Sequence, residues 1–141
     1  MNDPVVEPVA YWTGVAHRAL TAFTRAREAE LGLTHPQFCL LCALSSQDGR
    51  TVFELSRGLR SQLLTSDDLA AEAEGLLERK QVRVDRHGRM WITEAGRSAY
   101  ENQAGHLPEI AARIHDGIPD AEYEAAVEVL RRIVHNISDP H

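Results

Sequence analysis

A pair of short, capped helices followed directly by a β-hairpin limits this chain to few folds. Residues 51–54, Thr-Val-Phe-Glu, form a capping box, in which a hydroxyl and a carboxylate satisfy free backbone N–H groups at a helix start. Residues 65–68, Thr-Ser-Asp-Asp, can cap a second helix, whose apolar residues share one face. Two short helices joined by a tight turn predict a helix-turn-helix. Residues 81–85 and 89–93 then carry β-forming side chains around His87-Gly88, which predicts a hairpin, or wing.

Longer helices are predicted on both sides of this segment. From Pro8 to about Leu31 apolar residues recur at helical spacing, and Gly32 can end that helix. A capping box at 34–37 begins a mostly buried helix, and the turn-forming residues 47–50 end it. The segment from 94 to about 115 is predicted to be helical, residues 117–119 to break it, and residues 120 to about 137 to form the last helix.

The composition fits one globular domain spanning residues 1–141. Hydrophobic residues make up 43% of the chain, and no apolar run approaches the roughly 18 residues that cross a bilayer. Residues 1–4, Met-Asn-Asp-Pro, do not resemble an export signal, so we expect a cytoplasmic protein without a membrane partner. The net charge of −6 disfavours nucleic acid, but residues 79–97 hold six basic side chains against two acidic ones.

The order of these elements resembles the MarR family of regulators over nearly the whole chain. Residues 76–82, Leu-Leu-Glu-Arg-Lys-Gln-Val, resemble the family's passage from the recognition helix into the wing. Residues 92–97, Ile-Thr-Glu-Ala-Gly-Arg, resemble the family's hydrophobic-Thr-x-x-Gly-Arg segment that leaves the wing. The resemblance implies a mainly α fold with a small β-hairpin wing. The winged helix-turn-helix lobe would span 34–93, and dimerisation helices would span 8–31 and 94–137.

The function implied by the resemblance is that of a ligand-responsive, dimeric DNA-binding transcriptional regulator, with repression the expected effect. Each subunit of the homodimer would place its fourth helix in a major groove of operator DNA and its wing in the adjacent minor groove. A small aromatic or phenolic ligand would bind between the dimerisation helices and the DNA-binding lobe, and would shift the population of two dimer geometries. The resemblance implies no cofactor, no metal and no enzymatic activity.

The predicted recognition helix departs from the family pattern because it is acidic. Glu72 stands where an arginine is common, and a carboxylate repels phosphates. Asp67 and Asp68 suit a helix N-terminus, but that explanation does not extend to Glu72 or Glu74. Arg86 and Arg89 flank the wing tip, where the family places an arginine for the minor groove; the alternative is that both are solvated. The residues predicted to contact DNA are Ser61, Gln62, Thr65, Ser66, Arg86 and Arg89.

Three other functions remain open because of that acidic helix. The chain could be a MarR-fold small-molecule-binding protein that has lost operator binding. It could present its acidic helix to a basic protein partner. Asp68 and Glu72 are four residues apart and could pair as acid and base, but no nucleophile elbow, phosphate loop or metal motif accompanies them. An enzyme is therefore the least favoured of the three.

Candidate ligand residues lie on the first two helices, which line the pocket in the family. They are Tyr11, Trp12, Val15, His35 and Cys39. Trp12 could equally belong to the dimer interface. His35, Cys39 and Cys42 share one helix face at i, i+4 and i+7. The leucines around them favour core packing, with ligand contact or oxidant sensing as the second interpretation and a metal site as the third.

Overall fold

A computed structural model describes residues 7–138, so residues 1–4, on which the prediction about export rests, lie outside the described range. The chain forms two compact units that divide between His106 and Leu107. The elements of the first unit are α1 (Pro8–Leu31), α2 (His35–Ser46), β1 (Arg50–Thr51), α3 (Val52–Gly58), a 3₁₀ turn (Arg60–Gln62), α4 (Leu69–Glu78), β2 (Val82–Val84), β3 (Arg89–Ile92) and α5 (Glu94–Ala104). The second unit contains α6 (Leu107–His115) and α7 (Asp120–Ser138). No helix within 7–138 is long and apolar enough to span a membrane.

Local capping sets where the short helices begin, as predicted. Thr34 Oγ1 accepts from the Gln37 N–H at 3.2 Å, and the Gln37 side chain accepts from the Thr34 N–H at 3.2 Å. Thr51 and Glu54 form the same reciprocal pair at 3.1 and 3.0 Å at the start of α3. Asp68 caps α4 through its Oδ1, which accepts from a backbone N–H of the first turn at 3.2 Å. The helix-turn-helix is therefore confirmed, with α4 as its second helix.

The wing contains one more strand than the sequence predicts. The sequence predicts a turn over residues 47–50, but Arg50 and Thr51 form β1, which pairs antiparallel with β3 in a sheet of order β1-β3-β2. The Gly49 N–H donates to the Met90 carbonyl at 2.9 Å and extends this pairing. A strand of two residues is too short to show alternation, so its partner strand rather than its own pattern determines it.

The helix expected from 94 to about 115 is interrupted at residues 105 and 106. α5 ends at Ala104, and the Gly105 N–H still bonds to the Glu101 carbonyl at 3.0 Å. Pro108 has no N–H to offer the Ala104 carbonyl, so the α-helical hydrogen bonding cannot continue through it. The break predicted at 117–119 is confirmed, and Gly117 there adopts a left-handed φ of 77°.

A leucine-rich core holds the helix-turn-helix and the sheet together. Its most buried hydrophobic side chains, each less than 3% exposed, are Leu33, Leu40, Leu41, Leu44, Leu55, Leu76, Val82 and Met90. Each such side chain stabilises the fold by roughly 1.5–3 kcal/mol relative to an exposed one. Gln103 of α5 is also buried, and its amide bonds both the N–H and the carbonyl of Leu33 at 3.1 Å. α5 is therefore tied to the loop between α1 and α2, and α4 is fixed against this core.

Candidate nucleic-acid interface and ligand cavity

α4, the predicted recognition helix, presents small, apolar and acidic side chains to solvent. Its exposed residues are Ala70, Ala71, Glu74, Leu77 and Glu78. Glu72 is not among them, because it is half-buried and its carboxylate accepts from Thr34 Oγ1 at 3.0 Å. The Glu72 carbonyl also accepts from Gln37 Nε2 at 3.4 Å. Glu72 therefore fastens α4 to the start of α2, and it does not extend from the outer face of the helix.

Asp67, immediately before the cap of α4, is also paired within the protein. Both of its carboxylate oxygens accept from the Arg25 guanidinium of α1 at 2.9 Å, and Oδ2 accepts from the Leu64 N–H at 2.6 Å. The Arg25 guanidinium holds the pKa of Asp67 below its usual range, and the pKa of Arg25 is raised in return. This charge is therefore compensated and adds little repulsion toward an approaching phosphate.

The predicted DNA-contact residues fall into two groups. The first group, Ser61, Gln62, Thr65 and Ser66, lies on the exposed connection between α3 and α4. The second group lies on the wing: Arg86 is exposed in the tip, whereas the Arg89 guanidinium donates to the Gly49 carbonyl at 3.1 Å. Arg86 is therefore the more freely presented of the two wing arginines.

A carboxylate that the sequence does not mark as functional organises the wing tip. Asp85 accepts from the His87 N–H at 2.9 Å, the Arg89 N–H at 3.0 Å and the Trp91 indole N–H at 3.0 Å. The Trp91 bond, followed by the backbone bonds, holds the pKa of Asp85 below its usual range. The Arg83 guanidinium lies 5.3 Å from the Trp91 ring centroid, within cation–π range. The tip that carries Arg86 is thus a fixed turn.

A cavity of about 200 Å³ lies between α1, the start of α2 and the segment that precedes α4. It is larger than the apolar cavity of about 150 Å³ that can hold a benzene molecule, so it has room for one aromatic ring. The positive charges on its wall come from Arg25 and His35. The full set of lining residues is His17, Leu20, Thr21, Thr24, Arg25, His35, Gln62 and Leu64.

The cavity contains one of the five predicted ligand residues, His35, and one predicted DNA residue, Gln62. Tyr11 and Trp12 are 52% and 65% exposed on the N-terminal part of α1, where their rings meet edge to face. Val15 is half-buried and, like Cys39, is not part of the cavity wall. The cavity lies two to three turns further along α1, at Leu20, Thr24 and Arg25. The only sequence signal for Arg25 is a charge on the inward side of an amphipathic helix.

Next to the cavity, a carboxylate, an imidazole and a thiol lie in a row. Glu28 of α1 is 2% exposed, and its oxygens lie 2.9 and 3.0 Å from His35 Nδ1. The other ring nitrogen of His35, Nε2, lies 3.4 Å from Cys39 Sγ. The hydrogen bond to Cys39, followed by that to Glu28, raises the pKa of His35 to about 10. Cys42 is exposed and lies 3.5 Å from the Tyr100 hydroxyl.

Solved structures of MarR-family regulators share this fold over almost the whole chain. A MarR-family regulator from Silicibacter pomeroyi is 26% identical, with a TM-score of 0.62 over 94% of this chain and 91% of that one. A Mycobacterium tuberculosis MarR family protein, solved in complex with DNA, is 21% identical, with a TM-score of 0.72 over 91% and 98%. The Bordetella bronchiseptica regulator BpsR, whose DNA binding is regulated by 6-hydroxynicotinic acid, is 24% identical, with a TM-score of 0.68 over 90% and 98%.

No protein-family model and no curated protein matches the sequence. The order of the helices, the three-stranded wing and these structural likenesses nevertheless agree with one another. The chain therefore has the winged helix-turn-helix fold of the MarR family of transcriptional regulators.

Proposed function

We propose that this chain is a ligand-responsive DNA-binding transcriptional regulator that acts as a dimer in the cytoplasm and has no enzymatic activity. One observation carries the proposal: two of the acidic residues at the start of the recognition helix are paired within the protein. Asp67 is paired with Arg25 and Glu72 with Thr34, so neither projects freely toward a phosphate. The M. tuberculosis protein of the same fold, solved with DNA, supports this interpretation.

The exposed apolar side chains of the terminal helices support a homodimer. Large apolar side chains on the surface of a helix usually mark a surface that another chain covers. On α1 these are Val9, Tyr11, Trp12 and Leu20, and on α7 they are Val129, Leu130, Val134 and Ile137. Trp12, at 65% exposed, fits such an interface better than a closed ligand pocket.

The ligand we propose is a small, single-ring anion such as an aromatic carboxylate. The cavity of about 200 Å³ fits one ring, and its two cationic groups, Arg25 and His35, would attract a carboxylate. The regulation of the B. bronchiseptica protein by 6-hydroxynicotinic acid, an aromatic acid, supports this class.

Arg25 would couple the ligand to α4. A ligand carboxylate that binds Arg25 would compete with Asp67, which lies next to Asp68, the cap of α4. Release of Asp67 would also loosen the connection that it holds through the Leu64 N–H. Such a ligand can shift the population between two positions of α4 only to the extent that its affinity for the two positions differs.

Fluorescence anisotropy of the full chain with the DNA upstream of its own gene tests the DNA-binding proposal. We expect a dissociation constant of about 10⁻⁸ M or lower that weakens steeply between about 50 and 200 mM salt. Arg86→Ala should weaken binding and reduce the salt slope by about one, whereas Arg27→Ala, a matched control on α1, should change neither. Binding no tighter than to unrelated DNA would refute the proposal.

Calorimetry with 6-hydroxynicotinic acid and its uncharged amide tests the ligand class. The acid should bind about tenfold more tightly than the amide, because only a carboxylate can pair with Arg25. Arg25→Met should remove that preference. Equal affinity for the two compounds would show that the cavity does not select a negative charge.

A second candidate is a small-molecule-binding protein of the same fold that does not read DNA. The observation that favours it is the exposed face of α4, where Glu74 and Glu78 stand among alanine and leucine. Glu74→Arg separates the two candidates. A regulator should bind its operator more tightly after this change. A protein that has lost DNA binding should bind 6-hydroxynicotinic acid but should still show no binding to DNA.

A further inference from the structure

Three arginines lie together at the C-terminal end of α3, and none of them is among the predicted DNA contacts. Arg57 is the last residue but one of α3, and Arg60 begins the 3₁₀ turn that follows. Arg50 comes from β1, and its guanidinium lies 3.3 Å from the position that a Cβ on Gly58 would occupy. Because Gly58 directly follows Arg57, Arg50 reaches the same end of the helix. We refer to Arg50, Arg57 and Arg60 as the arginine cluster.

The charge of the arginine cluster is not compensated within the protein. In residues 7–138 none of its three guanidinium groups forms an ion pair with a carboxylate. Glu54, the carboxylate of the same helix, accepts from the Thr51 N–H at 3.0 Å. The C-terminus of a helix carries about half a negative charge, which cannot neutralise three cations. The cluster is therefore suited to an anion from outside the chain.

Arg57 is held in place by an aromatic ring that leaves its hydrogen-bond donors free. Its guanidinium lies 5.8 Å from the centroid of the Phe53 ring, within cation–π range. Phe53 stands four residues earlier, so both side chains share one face of α3, and Phe53 is 68% exposed. A ring so exposed adds little to the core. It instead orients Arg57, whose planar fork of N–H donors matches a phosphate.

The position of the cluster indicates that the anion is a phosphate of DNA. The exposed segment that follows Arg60 begins with Ser61 and Gln62, two of the predicted DNA contacts. In a helix-turn-helix the first helix, here α3, crosses the DNA backbone. The second helix, α4, contains no lysine or arginine, although neutralised phosphates supply much of the affinity for DNA. We propose that the arginine cluster binds the sugar-phosphate backbone of DNA and supplies the phosphate contacts that α4 lacks.

The role of the cluster rests on the proposed DNA-binding function, but it can be tested separately from operator recognition. Phosphate contacts do not read the base sequence, so the cluster should strengthen binding to operator and to unrelated DNA by the same factor. Each neutralised phosphate contributes about 0.9 to the slope of log affinity against log salt. Between about 1 M and 100 mM salt, that slope corresponds to roughly an eightfold gain in affinity for each arginine.

Fluorescence anisotropy measures this contribution with the full chain and two duplexes of equal length, one from upstream of its own gene and one of unrelated sequence. Arg57→Gln and Arg60→Gln should each weaken binding to both duplexes about five- to tenfold at roughly 100 mM salt and reduce the salt slope by about one. The double variant should reduce the slope by about two. Arg27→Gln is the matched control, because it removes the same charge from an exposed position on α1, and it should change neither quantity.

A change to the neighbouring ring separates the charge of Arg57 from its orientation. Phe53→Leu keeps all three guanidinium groups, so it should weaken binding to both duplexes by less than Arg57→Gln does and should leave the salt slope unchanged. Circular dichroism checks that each variant is folded. Unchanged salt slopes in folded Arg57→Gln and Arg60→Gln would overturn the proposal. If the wild-type protein binds both duplexes equally, operator recognition fails, whereas equal reductions of both slopes in the variants still support the phosphate contacts of the cluster.

Discussion

Replacing Asp67 by asparagine removes the charge from the ion pair that joins α1 to the start of α4. The asparagine side chain keeps an oxygen that can accept from the Leu64 N–H, so the change removes the negative charge and the second hydrogen bond to Arg25. The pair is bidentate at 2.9 Å, and the side chains of Arg25 and Asp67 are only 24% and 9% exposed. Exposed ion pairs contribute about 0.2–1 kcal/mol, and loss of one partner of a fully buried pair costs about 3–5 kcal/mol. We therefore expect a coupling energy of about 1–2 kcal/mol for this intermediate case.

A double-mutant cycle of Asp67→Asn and Arg25→Met measures that coupling energy. Urea unfolding followed by tryptophan fluorescence gives the four free energies of unfolding, at one protein concentration because dimerisation contributes to stability. The folded-state pKa of Asp67 lies below the usual value of 3.8, so the contribution is complete above that value and is lost as the pH falls through the folded-state pKa. A coupling energy below about 0.5 kcal/mol at pH 7 would show that water screens the pair and that it does not fix α4.

Two further changes test the pairing of His35 and a close backbone contact. The folded protein binds a proton on His35 up to a pKa of about 10, whereas the unfolded chain releases it near a pKa of 6.5, so the free energy of unfolding should fall as the pH rises between these values. Urea midpoints across this range measure the slope, and Glu28→Gln should flatten it. In Gly96→Ala the new Cβ would lie 2.0 Å from the Gln81 carbonyl oxygen, so we expect a loss of about 3 kcal/mol or more by thermal unfolding. Gly105→Ala, with its nearest contact at 3.4 Å, should cost less than about 1 kcal/mol, and equal losses would contradict the steric argument.

The parts of the fold that depend on near neighbours could be predicted from the sequence. The capping residues Thr34 and Thr51 act on groups three residues away, so their motifs contain the whole interaction. The bounds of α1 follow from its apolar spacing and from Gly32, which adopts a left-handed φ of 114°. The resemblance at residues 92–97 also has a physical basis, because only glycine fits at position 96 against the Gln81 carbonyl.

The parts that depend on distant partners could not be predicted. Glu72 meets Thr34 across 38 residues, and Asp67 meets Arg25 across 42, so a local pattern gives no sign that either carboxylate is paired. The resemblance placed candidate ligand residues at Tyr11 and Trp12, whereas the part of α1 that lines the cavity is Leu20 to Arg25, together with His17. In each case the sequence does not show which residue of a distant segment the side chain contacts.

The wing turn organised by Asp85 has a consequence for how the surface can evolve. Its three hydrogen bonds fix the backbone of the tip during folding, so little conformational entropy remains to be lost when the tip meets another molecule. None of these bonds uses the side chain of Arg86 or His87. The residues at those two positions can therefore change without altering the turn. Selection can then change which molecule the wing binds best without changing the shape of the wing.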